Sequence, residues 1–163
     1  MKSSTAGVRL RRMTESDLEQ LMAIAASLRD APHWPATAYL AVLKLDSTPR
    51  RIALVAEQQV NGESQNNRIL GFLIAVLIPP QAELETIAVS VVAQRRGIGR
   101  RLFFAMDQEL RTAGVSEVLL EVRASNRPAL CFYRSLGWSE TSRRPRYYAD
   151  PEEDAVLMSL KLE

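Results

Sequence analysis

The sequence predicts a mixed α/β (α+β) fold built around one central sheet. Three observations carry that expectation. Strand-length apolar runs alternate with segments of helical period, in the order β-α-α-β-β-β-α-β-α-β-β. After Gly97, the residues Ile98, Leu102, Met106 and Leu110 step by four, which marks one long amphipathic helix. The chain has 163 residues, of which 47% are hydrophobic, and no internal repeat, which fits a single domain over residues 1–163.

Each element has a local reason. Val8 to Met13 reads as the first strand. Thr14-Glu15-Ser16-Asp17 opens a helix, with Thr14 as N-cap and two carboxylates at the positive end of the helix dipole. Leu18, Leu21, Met22 and Ala25 continue its apolar face until Ala31-Pro32-His33-Trp34-Pro35 breaks it. A second helix is expected over Ala36 to Leu45, then strands over Ile52 to Glu57 and Ile69 to Ile78. The polar segment Asn61 to Asn67 between them reads as a mobile hairpin loop. Leu84 to Val91 is the next strand, after Pro79-Pro80. The long helix ends at Gly114, a fitting C′ residue. Val118 to Val122 is nearly all apolar, hence a largely buried strand. Pro128 suits the first turn of a short helix and Gly137 its end. Ser142 to Tyr148 and Ala155 to Leu162 complete the sheet.

Composition narrows the chemistry. Cys131 is the single cysteine and His33 the single histidine, so disulfide frameworks and Cys-rich or multi-histidine metal sites are excluded, and no metal is expected. The N-terminus lacks the apolar stretch of a signal peptide. The longest apolar run, Gly71 to Ile78, is far too short to span a bilayer, so no membrane role and a cytoplasmic, reducing setting are expected. The net charge is +2, but arginine clusters at Arg95, Arg96, Arg100 and Arg101, and again at Arg143, Arg144 and Arg146. Such patches suit a polyanionic ligand or a solvated surface equally. A nucleic-acid module is disfavoured by the near-neutral charge and the lack of stacking aromatics among Arg95 to Arg101.

The segment Gln94-Arg95-Arg96-Gly97-Ile98-Gly99-Arg100 lies between a strand and a helix. Glycines let backbone approach a ligand, and the first amides of a helix have no partner within it, so the segment forms an anion site suited to a diphosphate. A dinucleotide loop needs a third glycine, but position 102 is Leu, and a Walker loop needs Gly-Lys-Ser/Thr. A helix start without any ligand is the bland alternative.

Gln94-x-x-Gly97-x-Gly99 resembles the Q/R-x-x-G-x-G/A motif of the GNAT superfamily of N-acetyltransferases. Ile87-Ala88-Val89 precedes it at the family's spacing, and Leu120-Glu121-Val122-Arg123-Ala124-Ser125-Asn126 follows the helix. With Ala129, Phe132-Tyr133, Ser135-Leu136-Gly137-Trp138 and Arg146-Tyr147-Tyr148, the order resembles the RimI-like ribosomal-protein-alanine N-acetyltransferases. The resemblance covers residues 84–160. It implies a GNAT fold: a twisted, mostly antiparallel sheet of six to seven strands flanked by about four helices, with a splayed parallel pair at the cofactor site. It also implies acetyl-CoA as donor, held by Ile87, Ala88, Val89, Arg95, Arg96, Gly97, Ile98, Gly99, Arg100 and Asn126.

Acetyl transfer to an amine needs a base, a polarised thioester carbonyl and an acid for the leaving thiolate. Glu121 sits among apolar residues, where burial would raise its pKa and suit it as a base; a solvent-facing strand glutamate paired with Arg123 fits the context equally. Tyr133 lies about 100° round from Phe132, outside a core stripe of Ala129, Phe132 and Leu136, so it can face a cleft. A phenol of pKa about 10 matches an alkyl thiolate; a core-edge tyrosine is the alternative. The resemblance assigns Glu121 as base and Tyr133 as acid, and gives the Val89 amide to the thioester oxygen. Asn126 is either a cofactor contact or an N-cap, and the two are compatible. Cys131 reads as a small semi-buried residue rather than a nucleophile, and His33 as a structural or surface residue, with a place lining the acceptor cleft as the alternative. The implied activity is acetyl transfer to a protein N-terminus, the N-terminal alanine of a ribosomal protein. Alternatives are a small-molecule amine acceptor and a non-catalytic acyl-CoA sensor, which retention of Glu121 and Tyr133 argues against. The sequence leaves the oligomeric state open.

Overall fold

A computed structural model describes the chain except residues 1–6, 45, 47, 61 and 62; for Val60 and residues 63–66 it describes the backbone alone. Its strands are β1 (Val8–Arg12), β2 (Arg51–Val60), β3 (Glu63–Ile78), β4 (Gln81–Val89), β5 (Glu117–Arg123), β6 (Ser139–Ala149) and β7 (Glu152–Lys161). Its helices are α1 (Leu18–Ser27), α2 (Ala36–Leu43), α3 (Ile98–Thr112) and α4 (Arg127–Ser135). The strands form a seven-stranded sheet in the order β1-β2-β3-β4-β5-β7-β6. β4 and β5 pair in parallel and every other neighbouring pair is antiparallel. The predicted element order and mixed α/β class hold.

Two apolar layers sandwich the sheet. On one face α3 buries Ile98, Leu102, Met106 and Leu110, each at most 1% exposed, against Leu73, Leu120, Val156 and Met158. Each such side chain contributes about 1.5–3 kcal/mol relative to exposure, so the four-residue step read from sequence fixes this helix on the sheet. On the other face α1 and α2 cover Val55, Phe72 and Ile74 with Leu21, Ile24 and Tyr39.

Several boundaries differ from the sequence reading. Thr14 caps a single 3₁₀ turn, Glu15–Asp17, and α1 starts only at Leu18. The Asp17 carboxylate accepts from the Thr14 N–H at 2.8 Å and from Arg11 at 2.8 Å. Arg11 and Arg9 also grip Glu57, which is fully buried. Burial opposes ionisation of Asp17, but the hydrogen bonds from Arg11 and Thr14 outweigh it and hold its carboxyl below the usual carboxylate range. This network pins the turn to β1 and β2, which is why the helix start is tight. The expected loop over 61–67 is shorter: β3 begins at Glu63, which pairs with Val60, and 61 and 62 lie outside the described residues. In α4 the buried residues are Leu130 and Tyr133, whereas Ala129, Phe132 and Leu136 are only half-buried. The stripe expected from sequence is thus rotated toward Leu130 and Tyr133, and Phe132 lies beside Gly99 of α3 at the edge of the same core.

Candidate active site

β4 and β5 stay paired for three residues only, Gln81↔Glu117, Ala82↔Val118 and Glu83↔Leu119, and then separate. The cause lies in β4. Ile74 of β3 pairs with Thr86, but its neighbour Ala75 pairs with Leu84, so Glu85 is an extra, bulged residue. A one-residue insertion bends the strand and exchanges its faces. Leu84 accordingly joins the α3 side of the core, and Ala88, four residues on, joins the α1–α2 side.

The ladder phase then decides which backbone groups face the gap. The Ser90 N–H donates to the Leu70 carbonyl at 2.8 Å, so Ser90 and Leu70 form a bonded pair. Counting back along the register, Ala88 and Thr86 bond to β3, while the N–H and C=O groups of Val89 and Ile87 point away from it, into the gap. The Val89 carbonyl is taken by the Gln94 side-chain amide at 3.1 Å. The gap opens into a cavity of about 700 Å³, walled by β4 from Leu84 to Val89, Leu120–Arg123 of β5, the α1–α2 connection from Leu28 to His33, and Asn126, Ala129 and Tyr133 at α4.

The predicted anion loop lies at the end of β4. A 3₁₀ turn, Val91–Ala93, follows the strand; Arg95 (φ 61) and Gly97 (φ 79) both adopt left-handed backbone, and Gly97 caps α3. The first bond into the helix is from Arg101 N–H to the Gly97 carbonyl at 3.0 Å. The amides of Ile98, Gly99 and Arg100 are therefore not used by the helix and lie at its positive end. Gly99 cannot carry a side chain without crowding: a Cβ there would lie 3.3 Å from Phe132 and 3.7 Å from Val89. Arg95 and Arg100 are exposed, and Arg96 is half-buried. Arg101, from the same cluster, turns away to the Val8 carbonyl at 3.2 Å and has a structural role.

Glu121 lies on the face of β5 opposite Val118, Leu120 and Val122. The expectation of a carboxylate shut among its apolar neighbours is therefore corrected: strand alternation sends them to the core and Glu121 to the cavity. Its side chain is 22% exposed, stands 3.4 Å from Arg144 of β6, and has the Tyr147 phenol as an electrostatic neighbour that its charge pushes above the ordinary value. The alternative partner, Arg123, instead pairs with Glu153 at 3.4 Å and lies over the Tyr148 ring at 4.3 Å. Tyr133 reaches the cavity from the other side but is 8% exposed, with its ring against Trp138 (5.7 Å) and Phe132 (5.5 Å). It is thus both core and cavity wall. Burial, with a smaller contribution from Tyr148, pushes its phenol well above the ordinary value, so it stays protonated at neutral pH, and the close match to an alkyl thiolate expected of an unperturbed phenol is corrected: it is the weaker acid of the two. Asn126 caps α4, its Oδ1 accepting from the Ala129 N–H at 3.3 Å, and also lines the cavity. Cys131 is exposed, not semi-buried, and His33 is exposed at the cavity rim.

The structure brings Ile87, Ala88, Val89, Glu121, Asn126 and Tyr133 onto one cavity, with the Arg95–Arg100 loop at the end of the same strand. Sequence reasoning missed the contacts of Arg144 and Tyr147 with Glu121 and the Gln94 clasp on Val89. Both arginine and tyrosines were visible near the C-terminus, but nothing in their spacing told which strand they would face. Among the described residues no cluster of His, Cys, Asp or Glu is placed to hold a metal, and no helix is long and apolar enough to cross a membrane.

Known proteins share this arrangement. The family described as Acetyltransferase (GNAT) matches residues 18–138. The ribosomal protein bS18-alanine N-acetyltransferase of Escherichia coli (strain K12) is 41% identical over 101 residues, 61% of this chain and 68% of that one. The crystal structure of the ribosomal-protein-S18-alanine N-acetyltransferase from Escherichia coli superposes with a TM-score of 0.79 at 30% identity, covering 96% of this chain and 94% of that chain. Arabidopsis thaliana NAA60 in complex with acetyl-CoA shares the fold, with a TM-score of 0.80 at 18% identity over 94% of this chain and 99% of that chain. The family match takes in the splayed strands, the glycine loop and all of α4, and the chain is an N-acetyltransferase belonging to the acetyltransferase (GNAT) family.

Proposed function

We propose that this enzyme takes acetyl from acetyl-CoA and delivers it to the α-amino group of an N-terminal alanine on a ribosomal protein. The observation that carries the reading is the splayed β4–β5 cleft with Glu121 on one wall and Tyr133 on the other. The donor supplies an acetyl thioester on a long, amide-containing arm ending in a diphosphate. The cleft fits it on two counts. Ile87 offers strand-like N–H and C=O groups to amides of the arm, as an added strand would use them, and the Val89 N–H is left for the thioester oxygen. The α3 amides with Arg95, Arg96 and Arg100 suit the diphosphate.

In this reading Glu121 accepts a proton from the acceptor's ammonium, directly or through water, leaving a neutral amine able to attack. The Val89 N–H, directed into the gap, stabilises negative charge on the carbonyl oxygen. The Tyr133 hydroxyl, held protonated by burial, gives its proton to the departing sulfur, and the second proton shed by the acylated nitrogen then returns to the phenolate through water. Asn126 orients the start of α4 and hence Tyr133. The acceptor would enter between the α1–α2 connection and the β6–β7 tyrosines. The single-domain enzyme would work in the cytoplasm, where nascent ribosomal proteins are made. Supporting the acceptor are the names of the E. coli relatives, which share 41% and 30% identity with this chain.

The test is mass spectrometry of ribosomal proteins after incubation with enzyme and acetyl-CoA. A gain of one acetyl group on a single Ala-initiated terminus is expected. Transfer only to polyamines or other small amines would refute the acceptor while leaving the transferase.

A further inference from the structure

The contacts made by Glu121 come from strand β6, two places away in the sheet, and register explains how. Glu121 of β5 is opposite Leu157 of β7, and Arg144 of β6 is opposite Ala155. Leu157 and Ala155 are two apart and share a face, and directly opposite residues share a face, so Glu121 and Arg144 lie on the same side of the sheet. The arginine spans β7 at the small residue Ala155 and reaches Glu121 at 3.4 Å. Just beyond Arg144 the β6 register jumps from Arg144↔Ala155 to Tyr148↔Glu153, so Pro145, Arg146 and Tyr147 stand opposite Asp154 alone. The bulge is held by the Arg146 N–H donating to Asp154 Oδ1 at 3.0 Å, with Arg146 at φ 53. It places Tyr147 both against Glu121 and 5.6 Å beneath the Arg144 guanidinium.

We propose that Arg144 is a stand-in for the acceptor's positive charge: it holds the Glu121 carboxylate while no amine is bound and yields that contact to the incoming ammonium. The proposal rests on the reading of Glu121 as the group that meets the amine. The contact has the character of a placeholder. It is long, at 3.4 Å, and belongs to a guanidinium that is 56% exposed on a strand without an outer neighbour. A buried, bidentate pair would be part of the frame; this one can be exchanged for water at little cost. Tyr147 stays on Glu121 through the exchange and keeps the carboxylate aimed. Arg144 therefore competes with the substrate's positive charge, and its removal strengthens acceptor binding without entering the chemistry.

Steady-state kinetics on the full chain test this, with acetyl-CoA and an Ala-initiated peptide bearing the N-terminal sequence acetylated in the ribosomal-protein assay. Arg144→Gln should lower the acceptor KM about two- to five-fold, the range an exposed ion pair is worth. It should leave kcat and the acetyl-CoA KM unchanged, and Arg144→Lys should keep the wild-type acceptor KM. Arg144→Met carries the same expectation as Arg144→Gln and replaces it if that variant melts early. An acceptor KM that is unchanged or raised in the neutral variants overturns the proposal, as does Arg144→Lys behaving like Arg144→Gln. Glu121→Gln separates the two ideas: wild-type kcat in that variant overturns the reading of Glu121, whereas lost kcat with an unmoved KM in the Arg144 series overturns the placeholder alone.

Discussion

Replacing Tyr133 by Phe removes one oxygen from a side chain that is otherwise fully committed to packing. The ring lies 5.7 Å from Trp138 and 5.5 Å from Phe132 and is 8% exposed, and a phenylalanine keeps all of that. The stability change should therefore be no more than about 1.5 kcal/mol, the net worth of one hydrogen bond. The catalytic change should be larger. A positioned proton donor contributes about 10²–10⁴-fold, so kcat should fall at least about 100-fold, or about 2.7 kcal/mol of barrier. Because burial pushes the phenol above its ordinary value, Tyr133 stays protonated at pH 7 and at pH 9 alike. The deficit of the variant should then be the same at both pH values. Release of free thiol from acetyl-CoA in the presence of the acceptor peptide measures kcat, and a thermal melt on the same sample measures stability. A kcat within about threefold of wild type, with an unchanged melt, would show that Tyr133 is a packing residue and that the leaving sulfur takes its proton from water.

Three further outcomes are expected. Gly97→Val forces a β-branched residue into left-handed backbone at the cap of α3, at a cost of about 1–2 kcal/mol or more; titration calorimetry should find acetyl-CoA binding weakened at least tenfold, and wild-type affinity would remove the diphosphate from this loop. Gly71→Ala places a Cβ 2.8 Å from the Ala88 carbonyl, so β4 must shift where Ile87 and Val89 face the gap; about 1–3 kcal/mol of stability should be lost, and the acetyl-CoA KM should rise. Asp17→Asn probes the turn before α1. The folded carboxyl titrates below its unfolded value near 3.9, so its contribution is present above that pH and is lost as pH falls through the lower folded value. Denaturant melts should show the variant less stable at pH 7 and the gap closing below about pH 4.

Much of the donor half of the site was legible because it is local. A glycine at the start of a helix, apolar residues at a step of four and an asparagine two residues before a proline report on their own neighbourhoods. α3, Gly97 and the Asn126 cap accordingly stand where they were expected. Boundaries failed where a distant residue took part. The start of α1 slipped by a turn because Arg11 binds Asp17 and Glu57 at once, and Glu57 is on another strand. The face of α4 was misjudged because its buried residues, Leu130 and Tyr133, are selected by packing against distant elements, Tyr133 against Trp138 among them. Glu121 was named correctly as a site candidate but with the wrong surroundings, since its apolar sequence neighbours point to the opposite side of β5.

By itself the sequence determined the class of fold and the place of the glycine loop, because periodicity, capping and backbone permissiveness are properties of contiguous residues, while the family followed from the resemblance of its motifs to a known one. Tertiary structure decided the cleft. The bulge at Glu85 parts β4 from β5 and turns the amides of Ile87 and Val89 into the gap, and the register of β6 on β7 carries Arg144 and Tyr147 to Glu121. Registers are set by the summed burial on both faces of the whole sheet, and a one-residue slip anywhere along it would redirect every one of these groups.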